Sequence, residues 1–396
     1  MSWAGPFQHE IGKSRQSSTT AVAFDAAGRE NLPTLLCLSH LRWNFVYQRP
    51  QHLMSRFARD YNVLFFEEPL ASDDPNPWLE EIDAEPGVTR LVPRLPADIH
   101  GEANQAVLKR LLDRYLEEAG IEQAVLWYYT PMSLPFSSHI TSTLVVYDCM
   151  DELSAFRGAP PEMLERERLL LEKADVVFTG GYSLYEAKRE RHRNAHPFPS
   201  SVDIAHFAQA RADQVDPEDQ NGIPRPRLGF YGVIDERLDI DLLAEVAHQR
   251  PDWHIVLIGP VVKIDPASLP KLDNIHLLGG KVYDELPHYL AGWDVAIMPF
   301  ALNESTRFIS PTKTPEYLAG GKPVVSTPIT DVVRTYGESG IVRIADTPDA
   351  FIRAVEASLV DAQDQEGLLG KADAILGEMS WDATWLGMKE QMKCAR

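Results

Sequence analysis

The sequence predicts an α/β protein made of two Rossmann-like, doubly wound domains that face a central cleft. Three observations carry this. The chain has 396 residues, more than one hydrophobic core usually organises. Short apolar runs alternate with helix-length amphipathic segments, the signature of βα units on a parallel sheet. The alternation is interrupted by one proline-bracketed polar stretch and then starts afresh.

Taken in order, the first half offers strands at Leu35–Ser39, Asn62–Phe66, Ala124–Tyr129, Leu144–Asp148 and Asp175–Thr179. Helical periodicity fills Gln51–Asp60, Ala103–Glu118, Glu162–Lys173 and Leu184–Arg193. Pro197, Pro199, Pro224 and Pro226 bracket an acidic stretch that reads as a linker. Strands resume at Leu228–Val233, His254–Gly259, Asn274–Leu278, Asp294–Pro299 and Pro323–Ser326, with helices at Ile240–Arg250, Asp284–Ala291, Thr314–Ala319 and Pro348–Val360. The expected organisation is a flexible leader over 1–30, an N-terminal domain over 31–205, a linker over 206–226, a C-terminal domain over 227–376 and a terminal helix over 377–396 that crosses back to the first domain.

Composition excludes several function classes. The formal charge of -20 argues against a nucleic-acid partner, because phosphate backbones reward Lys and Arg. Cys37, Cys149 and Cys394 form no disulfide framework and no zinc spacing, which fits a reducing cytoplasm. No apolar run reaches the roughly 18 residues of a membrane span, and the start of the chain lacks the basic-then-apolar pattern of a secretory signal. Neither half carries Gly-x-Gly-x-x-Gly after a strand, which counts against a dehydrogenase. Asp148 and Asp151 supply too few oxygens for a magnesium cage, and no metal or cofactor is expected.

The most informative stretch is Ser310-Pro311-Thr312-Lys313-Thr314-Pro315-Glu316-Tyr317-Leu318-Ala319-Gly320-Gly321-Lys322-Pro323-Val324-Val325. Two successive cap-then-proline pairs precede a short helix closed by paired glycines. Such a start exposes free backbone N–H groups and a positive dipole end, which suits a pyrophosphate. Lys313 adds a charge there, and Glu316 in the first turn is placed to accept from the two hydroxyls of a ribose. The competing reading is a surface helix with a dipole-compensating Glu.

This run resembles the donor segment of GT-B glycosyltransferases, especially family 4-like enzymes, with their Glu-Tyr/Ala-Leu/Met-Ala-x-Gly-x-Pro-Val stretch. Asp294-Val295-Ala296-Ile297-Met298-Pro299-Phe300, Ile258-Gly259-Pro260, Ala174-Asp175-Val176-Val177-Phe178 and Pro199-Ser200-Ser201-Val202-Asp203 fall where that family has corresponding strands and linker. Trp381 to Met392 is similar to its terminal helix. The segment from Ser39 to Leu53, with Arg42, Trp43, Tyr47, Arg49 and His52, is similar to a bacterial subgroup linked to surface polysaccharide assembly. Its aromatic and basic residues fit either an acceptor site or simple loop packing.

The resemblance implies transfer of a sugar from a nucleotide diphosphate sugar, UDP favoured, to a glycan or lipid-linked acceptor. It puts Thr312, Lys313, Thr314, Glu316, Arg237 and Arg49 on the donor, with the base against Gly279, Gly280 and Lys281. Two departures stand out. The second Glu that family 4 enzymes carry eight positions before the ribose Glu is Phe308 here, and His40-Leu41-Arg42 replaces the glycine pair after the first strand. Loss of that Glu points to an inverting reaction with Asp151 as general base, and with His40 and Asp148 as alternatives. A nucleotide-sugar epimerase of the same fold and a non-catalytic nucleotide-binding partner are the other readings. The basic knot Lys188-Arg189-Glu190-Arg191-His192-Arg193 is either a solvated helix end or a peripheral contact with the inner membrane face.

Overall fold

The computed structural model describes residues 31–212 and 214–395; the leader expected over 1–30 lies outside them. The chain divides into two compact units. Among the described residues the first takes in the chain to Gly180, Tyr185–Phe198 and the chain from Trp385 on, and the second takes in Gly181–Leu184 and Pro199–Thr384.

The first unit holds β1 (Thr34–Leu38), β2 (Asn62–Phe66), β3 (Leu70–Ser72), β4 (Trp78–Glu85), β5 (Val88–Pro96), β6 (Ala124–Tyr128), β7 (Ser142–Cys149), β8 (Val176–Thr179) and β9 (Ala195–Pro197). Their order is β3-β5-β2-β1-β6-β7-β8-β9, with β4 antiparallel on β5. The apolar runs read from the sequence are the buried parallel strands, covered on both faces as such strands are. The β4–β5 hairpin, absent from the sequence reading, turns through Pro86 and Gly87, whose φ of 83° needs no Cβ. Acidic β4 is half exposed, so its alternation is faint, and Arg94 ties it to β5 through Glu80.

The second unit holds β10 (Arg227–Tyr231), β11 (His254–Ile258), β12 (Ile275–Leu277), β13 (Val295–Met298), β14 (Val324–Ser326) and β15 (Val342–Ile344). These lie in the order β12-β11-β10-β13-β14-β15 with parallel pairings, the doubly wound order that reverses between β10 and β13. Local chemistry starts the helices as read: Asp239 accepts from the Leu242 amide before Ile240–Gln249, and Thr347 with Pro348 opens Pro348–Asp361. In mid-β10 only glycine fits, because a Cβ on Gly229 would lie 1.8 Å from the Trp293 ring.

The stretch expected as a linker is folded into this second unit. Phe207 is fully buried, and Glu218–Asn221 is a helical turn whose buried Gln220 accepts from the Trp293 indole at 2.9 Å and donates to the Tyr289 carbonyl. Asp216 pairs with buried Arg227 at 2.6 Å. Polar side chains anchor this segment, so hydrophobic periodicity does not reveal it. At the other end, helix Trp381–Cys394 joins the first unit from Trp385 on, where Lys389 meets Asp60 at 2.6 Å. Among the described residues no helix is long and apolar enough to cross a membrane.

A pH-sensitive pair sits at the amino end of β11. His254 Nδ1 and His276 Nε2 lie 3.0 Å apart. Burial, then neighbouring charge from Arg227 and, for His276, from His254, holds both below the usual histidine range. A lowered folded-state pKa means that the neutral pair stabilises the fold above the unfolded value and that this is lost as pH falls through the folded values. The melting temperature is therefore expected to fall between pH 7 and pH 5 more steeply in the wild type than in His276→Asn. Parallel slopes would show that the pair does not couple to folding.

Candidate functional site

Where β10 and β13 diverge, their carboxyl ends open the crevice in which such sheets take ligands. The chain leaves β10 and β11 at Gly232 and Gly259, with φ of 150° and 148°. A Cβ on Gly259 would lie 1.8 Å from the Gly232 carbonyl oxygen, so these two strand ends meet as bare backbone. The Gly232 amide donates to the Ile258 carbonyl and the Gly259 amide to the Gly279 carbonyl.

Helix Lys313–Ala319 is docked against this floor. The Tyr317 hydroxyl accepts from the Tyr231 amide at 3.0 Å. Thr312 precedes the helix and accepts from Lys313 Nζ at 2.8 Å. Lys313 Nζ lies 5.6 Å from the Tyr231 ring centroid and 3.6 Å from Glu316 Oε2. Glu316 is 6% exposed, and its Oε2 accepts no hydrogen bond. Burial raises its pKa, against the pull of Lys313 first and of Tyr231 and Thr312 after it. A buried carboxylate oxygen without a donor is costly in a finished fold, whereas it suits a site that receives ligand hydroxyls.

The structure gathers Thr312, Lys313 and Glu316, and it gives three other residues expected on the donor different partners. The Thr314 hydroxyl is fully buried and donates to Met298 Sδ at 3.0 Å, so it points into the core. Arg237 makes a two-point pair with buried Asp235, at 2.7 Å for the closest atoms; its guanidinium is drawn onto its own loop. Arg49 is 1% exposed, chelates fully buried Asp148 with its closest contact at 2.8 Å, and donates to the Phe198 carbonyl at 2.7 Å. Arg49 and Asp148 thus form a buried ion pair with each other. Of the base loop, Gly279 adopts φ 70° and Lys281 pairs with Asp219 at 2.5 Å. Gly280 is exposed. Tyr283 stacks on His206 with centroids 4.2 Å apart.

In the first unit the loop after β1 is mostly packing. Arg42 reaches Glu67 and the carbonyls of Glu68 and Pro69. The Trp43 amide donates to Glu67 Oε1, and the Trp43 ring meets Phe65 edge-on at 5.0 Å. Buried His52 lies against Tyr47. His40 is 8% exposed. Asp151, half-buried after β7, accepts from the Leu153 amide through its carbonyl. The basic knot is tied to carboxylates: Lys188 is buried against Glu152 and Glu167, and Arg191 also binds Glu167. Arg189, Arg191 and Arg193 stay exposed. Glu68, which the sequence reading passed over, follows β2, and burial pushes its carboxyl up to about 7 with Arg42 opposing.

Solved structures share this architecture. Sucrose-phosphate synthase from Thermosynechococcus elongatus aligns with a TM-score of 0.70 at 16% identity, over 91% of this chain and 98% of that one. The catalytic domain of starch synthase IV from Arabidopsis thaliana, bound to ADP and acarbose, aligns at 0.65 and 10% identity over 92% and 99%. The fold is GT-B. Residues 225–361 match the family Glycosyl transferases group 1. Over 240 residues the chain is 30% identical to the putative teichuronic acid biosynthesis glycosyltransferase TuaH of Bacillus subtilis (strain 168). That match takes in 56% of this chain and 59% of the relative, less than two thirds of its length.

Within this GT-B chain the signal for Glu316 was local, a cap-then-proline start followed by Glu. Tyr231 and Gly232 line the same crevice beside Lys313 and carry no such signal. Only the glycine that ends each of β10 and β11, at Gly232 and Gly259, hints at a close backbone approach. Phe308, at the position of the missing family Glu, lies half-buried under the Arg307 guanidinium at 5.1 Å.

Proposed function

We propose that this chain is a metal-independent glycosyltransferase that moves a sugar from a nucleotide diphosphate sugar, UDP favoured, to a glycan or lipid-linked acceptor in bacterial surface polysaccharide synthesis. The observation that carries the donor half is Glu316, a buried carboxylate with an oxygen that accepts no hydrogen bond, one turn into a helix at the β10/β13 divergence. In this reading Glu316 accepts from the ribose hydroxyls, while Lys313, Thr312 and free amides at the helix start meet the diphosphate. The base lies along Gly279 and Gly280. The match of residues 225–361 to group 1 glycosyl transferases supports the same assignment. TuaH, named for teichuronic acid biosynthesis, supports the polysaccharide context.

The transfer inverts the anomeric centre, with Asp151 taking the acceptor hydroxyl's proton as it attacks. Phe308 in place of the family Glu motivates the stereochemistry. Arg49 and Asp148 bind each other, which favours Asp151 among the acids after β7. Glu68 is a second candidate base, because a carboxyl held near 7 suits proton transfer at neutral pH. Asp151→Asn is expected to lower kcat by about 100- to 10,000-fold with nucleotide affinity kept, and NMR of the product should show inverted configuration. Near-normal turnover in Asp151→Asn with loss in Glu68→Gln would move the role to Glu68. Retained configuration would end both assignments.

A further inference from the structure

We propose that Tyr231 is a positioning residue: its phenol holds the Glu316 carboxylate in place for the ligand's hydroxyls. The inference rests on the donor reading of Glu316 given above. Tyr231 ends β10 at the bare-backbone floor of the crevice and is 2% exposed. Its backbone is gripped on both sides by one hydroxyl. Tyr317 Oη accepts from the Tyr231 amide at 3.0 Å and donates to the Tyr231 carbonyl at 3.4 Å. Its ring is wedged between Tyr317, with centroids 4.8 Å apart, and Trp293, 5.6 Å away. The ring therefore cannot swing, and the hydroxyl is presented from a fixed point.

That hydroxyl is buried and makes no hydrogen bond, and Oε2 of Glu316 is in the same state. The phenol and the carboxylate act on each other directly, so a buried donor and a buried acceptor stand within reach of one another with no other partner for either atom. A small turn of the Glu316 side chain brings one carboxylate oxygen onto the phenol and leaves the other for the ligand. The groups facing Glu316 are Lys313, Tyr231 and Thr312. Lys313 completes the triangle, with Nζ over the Tyr231 ring and 3.6 Å from the carboxylate. Burial first, and then the Glu316 charge, lifts the phenol well above the usual tyrosine range, so it stays a donor at working pH.

The test is Tyr231→Phe, which keeps the ring packing and removes only the hydroxyl. Carbon-13 NMR of the side-chain carboxyls in the nucleotide-free protein reads Glu316 directly, and its titration midpoint is expected to rise in the variant. Calorimetry with UDP should show binding weakened by about 5- to 10-fold, an indirect loss of the size of one ordinary hydrogen bond. With 2′,3′-dideoxy-UDP the same substitution should change affinity less than about 2-fold, since the oriented acceptor then has nothing to receive. An unchanged Glu316 midpoint, or equal losses for both nucleotides, would overturn the proposal. A shifted midpoint in a protein that binds no nucleotide would uphold the Tyr231–Glu316 coupling and defeat the donor reading instead.

Discussion

Replacing Glu316 with alanine is expected to weaken UDP binding by about 5- to 150-fold, the range for losing one or two hydrogen bonds to a carboxylate. The fold should survive and gain stability. Burial outweighs the pull of Lys313, at 3.6 Å, and of Tyr231 and Thr312 after it, so alanine removes an incompletely compensated charge. The sign of the pH dependence follows from the raised pKa. The protonated form suits the fold, so this group's contribution is fully present below its unfolded value and is lost as pH rises through the folded one. Ligand binding needs the opposite, an ionised acceptor. Nucleotide affinity should therefore fall on acidification at a higher pH than an exposed glutamate's ordinary value of about 4.3. The stabilising effect of Glu316→Ala should be larger at pH 8 than at pH 5. Calorimetry and thermal melts at both pH values measure this, and an unchanged dissociation constant in the folded variant would remove Glu316 from the site.

The second large effect concerns Arg49 and Asp148. Asp148→Ala is expected to destabilise the protein by about 3–5 kcal/mol, because it strands a guanidinium in the core. Burial disfavours the Arg49 charge, but Asp148 outweighs it, and the pKa of Arg49 ends above its ordinary value. The paired variant Arg49→Met with Asp148→Leu should recover most of the loss, since apolar residues of similar size replace buried ion pairs at little cost. Urea unfolding of both single variants and the double variant gives the coupling energy. Additive losses would mean that the pair is not the unit. A stable Asp148→Ala protein that binds nucleotide and has lost turnover would return Asp148 to catalysis.

The sequence by itself determined the class of fold, most of the parallel strands, and the chemistry of the helix beginning at Lys313. These are local properties. Strands buried on both faces read as continuous apolar runs, and a helix start is written in caps, prolines and a first-turn acid. Thr312, Lys313 and Glu316 were therefore legible together. Tertiary structure decided what each polar side chain faces. Arg49 and Asp148 are 99 positions apart, and nothing near either shows that they bind each other. Thr314 sits two residues from Glu316, yet the 100° turn per residue of a helix sends its hydroxyl to Met298 instead of the crevice. Gln220, Asp216 and Asp219 look like solvated linker and are anchors, because their partners come from elements up to 73 residues away. Strand β4 is acidic and half exposed, so it needs its partner β5 before it reads as a strand at all. Residue type and local spacing say which groups are able to do chemistry, and long-range pairing decides which of them are left unspent to do it.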